Sequence, residues 1–395
     1  MRRIIRCPVC KVSDGVVFLE HKQVATCQHT LIATAEAARN VERGDLTLVC
    51  CRQCNFIFNT AFDEQKLAYG EAYENSQSYS PYFSQYMDEI IDELVKEKET
   101  NDCRVIEVGC GQGTFLKRLI DREPGIYGYG FDPSYRGPLT LQDGRITFFQ
   151  SNYGPDAAHI MADIVICRHV IEHVSQPVSL LQSIRQAIKA SAQARLFLET
   201  PCSEWILRNE VFWDFFYEHC SYFSRDSLAR AVELSGFRVQ NVFHRFHGQY
   251  LWLEARLHAD DKLISGPSQA TPLYFLARQF AYRERDLIAR WSELIQSKIK
   301  QGERIALWGA GAKGATFAGL LDPACRYFQC VVDINPQKQG KYLPGTGHPI
   351  IKPAELPDLQ ISSIIILNPN YRNEIVNILK GMPGKINLLE LENDK

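Results

Sequence analysis

The sequence predicts an α/β protein, with a doubly wound parallel sheet in mid-chain, a small cysteine-rich unit before it and a smaller α/β unit after it. Three observations carry this reading. Cys-x-x-Cys occurs twice near the start, at Cys7-Pro-Val-Cys10 and Cys51-Arg-Gln-Cys54. From about residue 101 onward, β-branched runs alternate with amphipathic stretches, the signature of strand–helix–strand units. A strand running into a glycine-rich turn appears twice, ending at Gly109, Gly111 and Gly113 and again at Gly309, Gly311 and Gly314.

Size and composition fit that division. A chain of 395 residues holds roughly two or three domains, each with a core of its own. Apolar residues make up 45% and charged residues 23%, as in soluble globular proteins. The net charge of −2 gives no reason to expect a nucleic acid or an anionic membrane as partner. The first residues, Met-Arg-Arg-Ile-Ile-Arg-Cys-Pro, lack the apolar region of a secretory signal, and no apolar run approaches the ~20 residues that span a bilayer. Thirteen cysteines without a secretion signal point to reduced thiols and metal ligands, and to a cytoplasmic location.

In the first unit, two intervening residues let both thiolates of a Cys-x-x-Cys knuckle reach one ion, and Cys7, Cys10, Cys51 and Cys54 close a tetrahedral zinc site. The metal is expected to be structural and to supply much of this unit's folding energy. Cys51 is preferred over its neighbour Cys50 because it keeps the two-residue spacing. The long gap from Cys10 to Cys51 requires a subdomain between the knuckles. A redox Cys-x-x-Cys is disfavoured, since no thioredoxin-like pattern surrounds either pair. Cys27, Cys103, Cys167, Cys202, Cys220, Cys325 and Cys330 read as small buried hydrophobes. A tyrosine-rich connector follows, with Tyr69, Tyr73, Tyr79, Tyr82 and Tyr86. Tyr73 and Tyr79 are candidates to line a substrate mouth. From Tyr82 the apolar spacing predicts a helix.

The central unit opens with a strand, a turn at Gly109, Gly111 and Gly113, and a helix from Thr114. Glycines there let backbone approach a ligand closely and tolerate positive φ. Glu107 stands where a carboxylate can meet a cationic amino-acid moiety. Asp132, ending the next strand in Phe-Asp-Pro, stands where ribose hydroxyls lie in nucleotide folds. Further strands run through Ala162-Asp-Ile-Val-Ile-Cys into Arg168-His-Val-Ile-Glu-His173, and through Ala194-Arg-Leu-Phe-Leu-Glu199. His169, Glu172 and His173 formally match a His-x-x-Glu-His metallopeptidase pattern, but the strand-to-helix setting argues against it.

Residues 212–223, Phe-Trp-Asp-Phe-Phe-Tyr-Glu-His-Cys-Ser-Tyr-Phe, place a Glu-His pair among rings. A histidine of near-neutral pKa, a carboxylate to orient it and little water are what proton abstraction from carbon needs. Then come a helix capped by Ser224 and stopped by Gly236, and a strand hairpin near Val239 to Phe246 with His247-Gly-Gln on a following turn. Leu263-Ile-Ser-Gly-Pro-Ser reads as linker, and Pro272 to Lys300 as one or two amphipathic helices. In the last unit, Gly309, Gly311 and Gly314 fit Gly-x-Gly-x-x-Gly, and Asp333 falls near the ~20-residue offset of a ribose-binding acid. Fewer than a hundred residues remain, which suits a mononucleotide or nucleotide-sugar pocket better than a whole dinucleotide. Lys313, Lys338 and Lys341 could meet phosphates.

Glu-Val-Gly-Cys-Gly-Gln-Gly, Phe-Asp-Pro and Arg-His-Val-Ile-Glu-His together resemble class I S-adenosylmethionine-dependent methyltransferases over roughly residues 102–255. The resemblance implies that Glu107, Gly109, Gly111, Gly113 and Asp132 hold the cofactor, with Arg168 and His169 on its exposed flank. The order of zinc knuckles, methyltransferase, Glu-His-x-x-Tyr-Phe and Gly-Ala-Gly-Ala-Lys-Gly resembles, across nearly the whole chain, the bacterial sugar C-methyltransferases of deoxysugar biosynthesis. It implies a zinc-binding domain (1–65), a helical connector (66–100), a methyltransferase core (101–258), a helical linker (259–300) and a Rossmann-like domain (301–395).

It also implies a nucleotide-linked 4-keto-deoxysugar as substrate, deprotonated next to its ketone and methylated on the enolate carbon. His219 would be the base, Glu218 would orient it, and Tyr217 or Tyr222 would stabilise the enolate oxygen. Tyr73, Tyr79, His247, Gly311, Lys313 and Asp333 would meet the substrate. The family's Tyr-His-Glu-His-x-x-Tyr-Phe loop reads Phe216-Tyr217-Glu218-His219 at its start here, and its His-Gly-Gly-Ser reads His247-Gly248-Gln249-Tyr250. Methylation of oxygen or of another scaffold is the alternative chemistry, and an inactive assembly module the alternative class. The expected state is monomer or homodimer.

Overall fold

The computed structural model describes residues 5–67, 69–70, 72–96, 103–157, 159–188, 194–257 and 273–390. The linker-like Leu263-Ile-Ser-Gly-Pro-Ser lies outside them.

The N-terminal unit is built on an antiparallel hairpin, β1 (Gly15–Ala25) with β2 (Arg43–Cys51), with a short helix α1 (Ala35–Arg39) between them and β3 (Ile57–Asn59) beside β2. This is the subdomain that the long gap between the cysteine pairs requires. A fourth strand, Ser221–Tyr222, joins β3 from much further along the chain. The connector forms helix α2 (Pro81–Lys96), whose buried stripe of Phe83, Tyr86, Met87, Ile90, Ile91 and Leu94 follows the 3–4 spacing of the sequence.

The central unit follows in the order β4 (Cys103–Val108), α3 (Thr114–Arg122), β5 (Ile126–Phe131), β6 (Thr140–Leu141), β7 (Ile146–Phe149), β8 (Ile164–Arg168), α4 (Pro177–Ala187), β9 (Arg195–Pro201), α5 (Ser203–Arg208), β10 (Ser221–Tyr222), α6 (Arg225–Leu234), β11 (Phe237–Arg245) and β12 (Tyr250–Leu257). Its eight strands run β11-β12-β9-β8-β4-β5-β7-β6. The five inner strands β7, β5, β4, β8 and β9 are parallel, and the β11–β12 hairpin closes one edge antiparallel to β9. Such a sheet binds ligands at the carboxyl ends of its strands. β10 pairs with β3 and so belongs to the N-terminal sheet.

A single helix, α7 (Leu273–Lys300), leads to the last unit: β13 (Ile305–Trp308), α8 (Ala312–Leu321), β14 (Phe328–Val332), β15 (Ile350–Ile351), β16 (Ser363–Ile366), α9 (Arg372–Leu379) and β17 (Asn387–Leu389). Its sheet, ordered β15-β14-β13-β16-β17, is parallel throughout and has the size of half a doubly wound sheet. One apolar cluster joins Phe18 and Leu48 of the first unit, Phe212 and Phe215 of the second, α7, and Phe317 of α8. The three units therefore share a core. Among the described residues, no helix is long and apolar enough to cross a membrane.

Candidate active site

The four cysteines of the paired knuckles converge. The Cys7 and Cys54 sulfurs are 3.6 Å apart, as are those of Cys10 and Cys51, and one atom of each of the four lies within 4.8 Å of the others. Sulfurs placed 2.3 Å from a tetrahedral ion are about 3.8 Å apart, so the donor set suits a thiolate-bound metal. Cys50 points elsewhere, into the core around Phe18 and Leu19.

On the core sheet, the first turn after β4 meets the requirements of a nucleotide cradle. Gly109, Gly111 and Gly113 all have positive φ. A Cβ on Gly109 would lie 2.0 Å from Val170 Cγ2, whereas one on Gly111 would meet open space. The Gly111 amide donates to Asp132 Oδ2 at 2.8 Å, and Asp132 Oδ1 accepts from the Ser134 amide and hydroxyl. Glu107 is buried, its Oε2 has no partner, and burial raises its carboxyl to about 8 against the opposing pull of Arg168. An unsatisfied buried carboxylate beside an open glycine turn fits the ammonium of a methionyl group, and Asp132 fits a ribose.

Arg168 is not on an exposed flank. It is 8% exposed, pairs with Glu199 at 2.7 Å and stacks 4.4 Å over Phe115. Glu199, on the neighbouring strand, draws it inward and also accepts from Tyr86. Its neighbour His169, with φ +54°, sits between Glu199 (3.4 Å) and Glu172 (3.5 Å). Burial opposes a charge there, but the two carboxylates more than offset it and raise His169 to about 9.

A cavity of about 280 Å3 is walled by all three units. Tyr73 and Tyr79 come from the connector, His169, His173, Phe216 and His219 from the core, and Gly311, Lys313 and Asp333 from the last unit. Asp333 Oδ2 accepts from the Ala310 amide at 2.8 Å, the same acid-to-glycine-turn bond that Asp132 makes in the core. Lys313 pairs with Asp214 across the unit boundary. The buried Lys338 donates to the Ala310 carbonyl, and Lys341 does not line the cavity.

His219 is 8% exposed, between the Phe216 ring (4.0 Å) and a perpendicular His173 ring (4.7 Å). Burial, reinforced by His173, His29, His169 and Lys313, keeps its pKa well below the usual histidine range, so it is neutral at pH 7. Three expectations around it need correction. The Glu218 carboxylate does not meet His219; it accepts from the Gln28 and His29 amides and from Tyr73 Oη (2.9 Å). Tyr217 and Glu218 form a turn before β10, and both side chains reach into the N-terminal unit. Tyr217 faces away from the cavity, with Oη accepting from the Asp63 amide at 2.9 Å. Tyr222 spends its hydroxyl on both the amide and the carbonyl of Phe216. Nor does His247 reach this cavity: it bonds Tyr82 Oη at 2.7 Å on another face, and Gln249 takes its place in the wall.

Sequence reasoning passed over His29, Asp214, Phe216, Gln249 and Asn368 as cavity residues, and Glu199 as the partner of Arg168. Only Glu199 carried a sequence signal, as a charge ending a buried strand. The sequence marks Glu172 and His173 only as part of a His-x-x-Glu-His pattern.

Residues 79–242 match the family described as a methyltransferase domain, and residues 273–385 the family described as a C-methyltransferase C-terminal domain. The chain is an S-adenosylmethionine-dependent methyltransferase with a C-methyltransferase C-terminal domain. The C-methyltransferase NovU of Streptomyces niveus is 27% identical over 293 residues, which are 69% of this chain and 68% of NovU. Among solved structures, N,N-8-amino-8-demethyl-D-riboflavin dimethyltransferase from Streptomyces davawensis aligns with 18% identity and a TM-score of 0.35, over 45% of this chain and 56% of that one. Human N-acetylserotonin methyltransferase aligns with 15% identity and a TM-score of 0.35, over 46% and 57%. In this methyltransferase, the C-terminal match coincides with the unit that closes the cavity over His219.

Proposed function

We propose that this enzyme methylates a carbon next to the ketone of a nucleotide-linked keto sugar. The observation that carries the reading is the shared cavity. A neutral buried imidazole, His219, and a second glycine turn with its acid, Gly311 and Asp333, wall one space. A sugar with a nucleotide tail matches that pairing, because the tail suits the glycine turn while the sugar ring reaches the imidazole. The likeness to NovU, a C-methyltransferase, supports carbon as the acceptor atom.

Bound S-adenosylmethionine supplies an electrophilic sulfonium methyl. Glu107 and Asp132 would hold its two ends, and Gly111 would let backbone lie against it. His219 would take the proton α to the ketone, and the neutral state that burial imposes keeps its lone pair free for this. Phe216, His173 and the rings around them exclude water from the carbanion. Lys313 and Lys338 supply positive charge on the nucleotide side. Cys7, Cys10, Cys51 and Cys54 would bind one structural Zn2+ that has no part in the chemistry.

The test uses nucleotide-linked 4-keto-6-deoxysugars with the full chain in deuterated water. Wild-type protein should exchange the α-proton even with S-adenosylhomocysteine in place of the methyl donor, and should yield a C–CH3 product. His219→Gln should bind S-adenosylhomocysteine normally and lose exchange by at least ~100-fold. Normal exchange in that variant would remove His219 as the base. An O–CH3 product would move the chemistry to oxygen.

A further inference from the structure

We infer that Glu172 is the carboxylate partner of His219, fixing Nδ1 as the protonated nitrogen and leaving Nε2 as the one that takes the substrate proton. This rests on His219 being the base of the proposed reaction. A buried imidazole that accepts a proton needs a nearby negative charge, or the imidazolium is prohibitively unstable. Glu218, its sequence neighbour, has both carboxylate oxygens engaged with the N-terminal unit.

Glu172 is 2% exposed and lies beside His219. One of its carboxylate oxygens, one ring nitrogen of His173 and one of His219 all fall within 4.8 Å of each other. Its Oε2 is anchored by the Thr200 hydroxyl at 3.0 Å, while Oε1 is buried with no hydrogen bond. His219 Nδ1 is likewise buried and unpartnered. Most buried side-chain polar atoms are satisfied, so two orphans on neighbouring side chains of one cluster are best explained by each other. A small side-chain rotation, or one water between them, completes the bond.

The backbone holds the two side by side. Cys220 Sγ donates to the Glu172 carbonyl at 3.7 Å, and Ser221 Oγ to the Val174 carbonyl at 2.8 Å. His173 is pinned in turn by Tyr69, whose Oη is 3.0 Å from its Nδ1. His169 Nδ1, 3.5 Å from Glu172 Oε1, leaves that oxygen short of a hydrogen bond. Glu172 is thus a positioning residue, acting through His219 and not on the substrate.

The tautomer of His219 reports this directly and needs no acceptor. In full-length protein carrying 15N-labelled imidazoles, the His219 signals are assigned by their loss in His219→Gln. The wild type should show the Nδ1–H tautomer at pH 7. Glu172→Leu should move the tautomer ratio at least tenfold towards Nε2–H, and Glu172→Gln, whose amide oxygen still accepts, should keep most of the Nδ1–H form. Glu218→Gln should leave the ratio unchanged. An Nε2–H tautomer in the wild type overturns the inference, as does an unchanged ratio in Glu172→Leu. Should Glu172→Leu fail to fold, the wild-type tautomer still decides. If the sugar acceptor proves wrong, this result stands apart from it.

Discussion

Glu107 is the residue on which burial acts most usefully. Burial raises its carboxyl to about 8, so at pH 7 the protonated form is favoured. A methionyl ammonium set against its free Oε2 favours the charged form and drives that proton off. Cofactor binding near neutral pH should therefore release up to about one proton from Glu107. Calorimetry in buffers of different ionisation enthalpy measures this as a slope, and Glu107→Gln should flatten it. A slope that survives in Glu107→Gln would place the proton elsewhere. The place of this residue was legible in the sequence, as a lone acid near the end of a β-branched strand before glycines. The direction of Glu218 and Tyr217 was not. Each residue type was chosen for a plausible role, but their side chains answer to the backbone of Gln28, His29 and Asp63, some 150 to 190 residues away in sequence.

Elements were legible wherever their signals are local. The helix expected after Ser224 is there, and its cap is reciprocal: Ser224 Oγ accepts from the Ser227 amide, and Ser227 Oγ from the Ser224 amide. Losing that hydroxyl in Ser224→Ala should destabilise the protein by about 1 kcal/mol, read as a lower denaturation midpoint at unchanged slope. The β4–α3 turn was legible for the same reason, and it is less forgiving. Gly109→Ala combines a positive φ with a Cβ 2.0 Å from Val170 Cγ2. It should abolish cofactor binding in calorimetry, and adding Val170→Ala should recover only part of it, because the backbone strain stays. If Gly109→Ala binds S-adenosylhomocysteine within threefold of wild type, the turn is not the cradle. By contrast, β10 could not be read. It is two residues long, it sits among rings that suggest a helix as readily as a strand, and its partner β3 lies over 160 residues earlier.

At the scale of the molecule, the N-terminal unit is bound into the reacting side of the enzyme and not merely attached to it. β10 extends its sheet, Glu218 is tied to Gln28 and His29, and Tyr217 packs on Phe62 and bonds Asp63. The segment carrying His219 therefore takes its shape from the N-terminal unit, whose four converging cysteines would supply order on binding a metal. The cofactor turn has a different support. It hangs on β4, in the middle of a parallel sheet whose hydrogen-bonded strands hold it, although the apolar cluster under that sheet also takes in Cys7, Val9, Cys51, Cys54, Phe56 and Phe58 of this unit. Local stability need not be uniform, and here the two halves of the site should come apart. Stripping the metal with a chelator should raise amide hydrogen exchange over residues 215–223 by tenfold or more while residues 103–122 keep their protection. Affinity for S-adenosylhomocysteine should stay within about threefold, and acceptor turnover should fall to background. Equal loss of protection in both segments would mean that the sheet depends on the metal too. Protection unchanged in both would mean that the four sulfurs do not organise the acceptor side, and that the shape of the His219 segment is set by β3 and the shared apolar core alone.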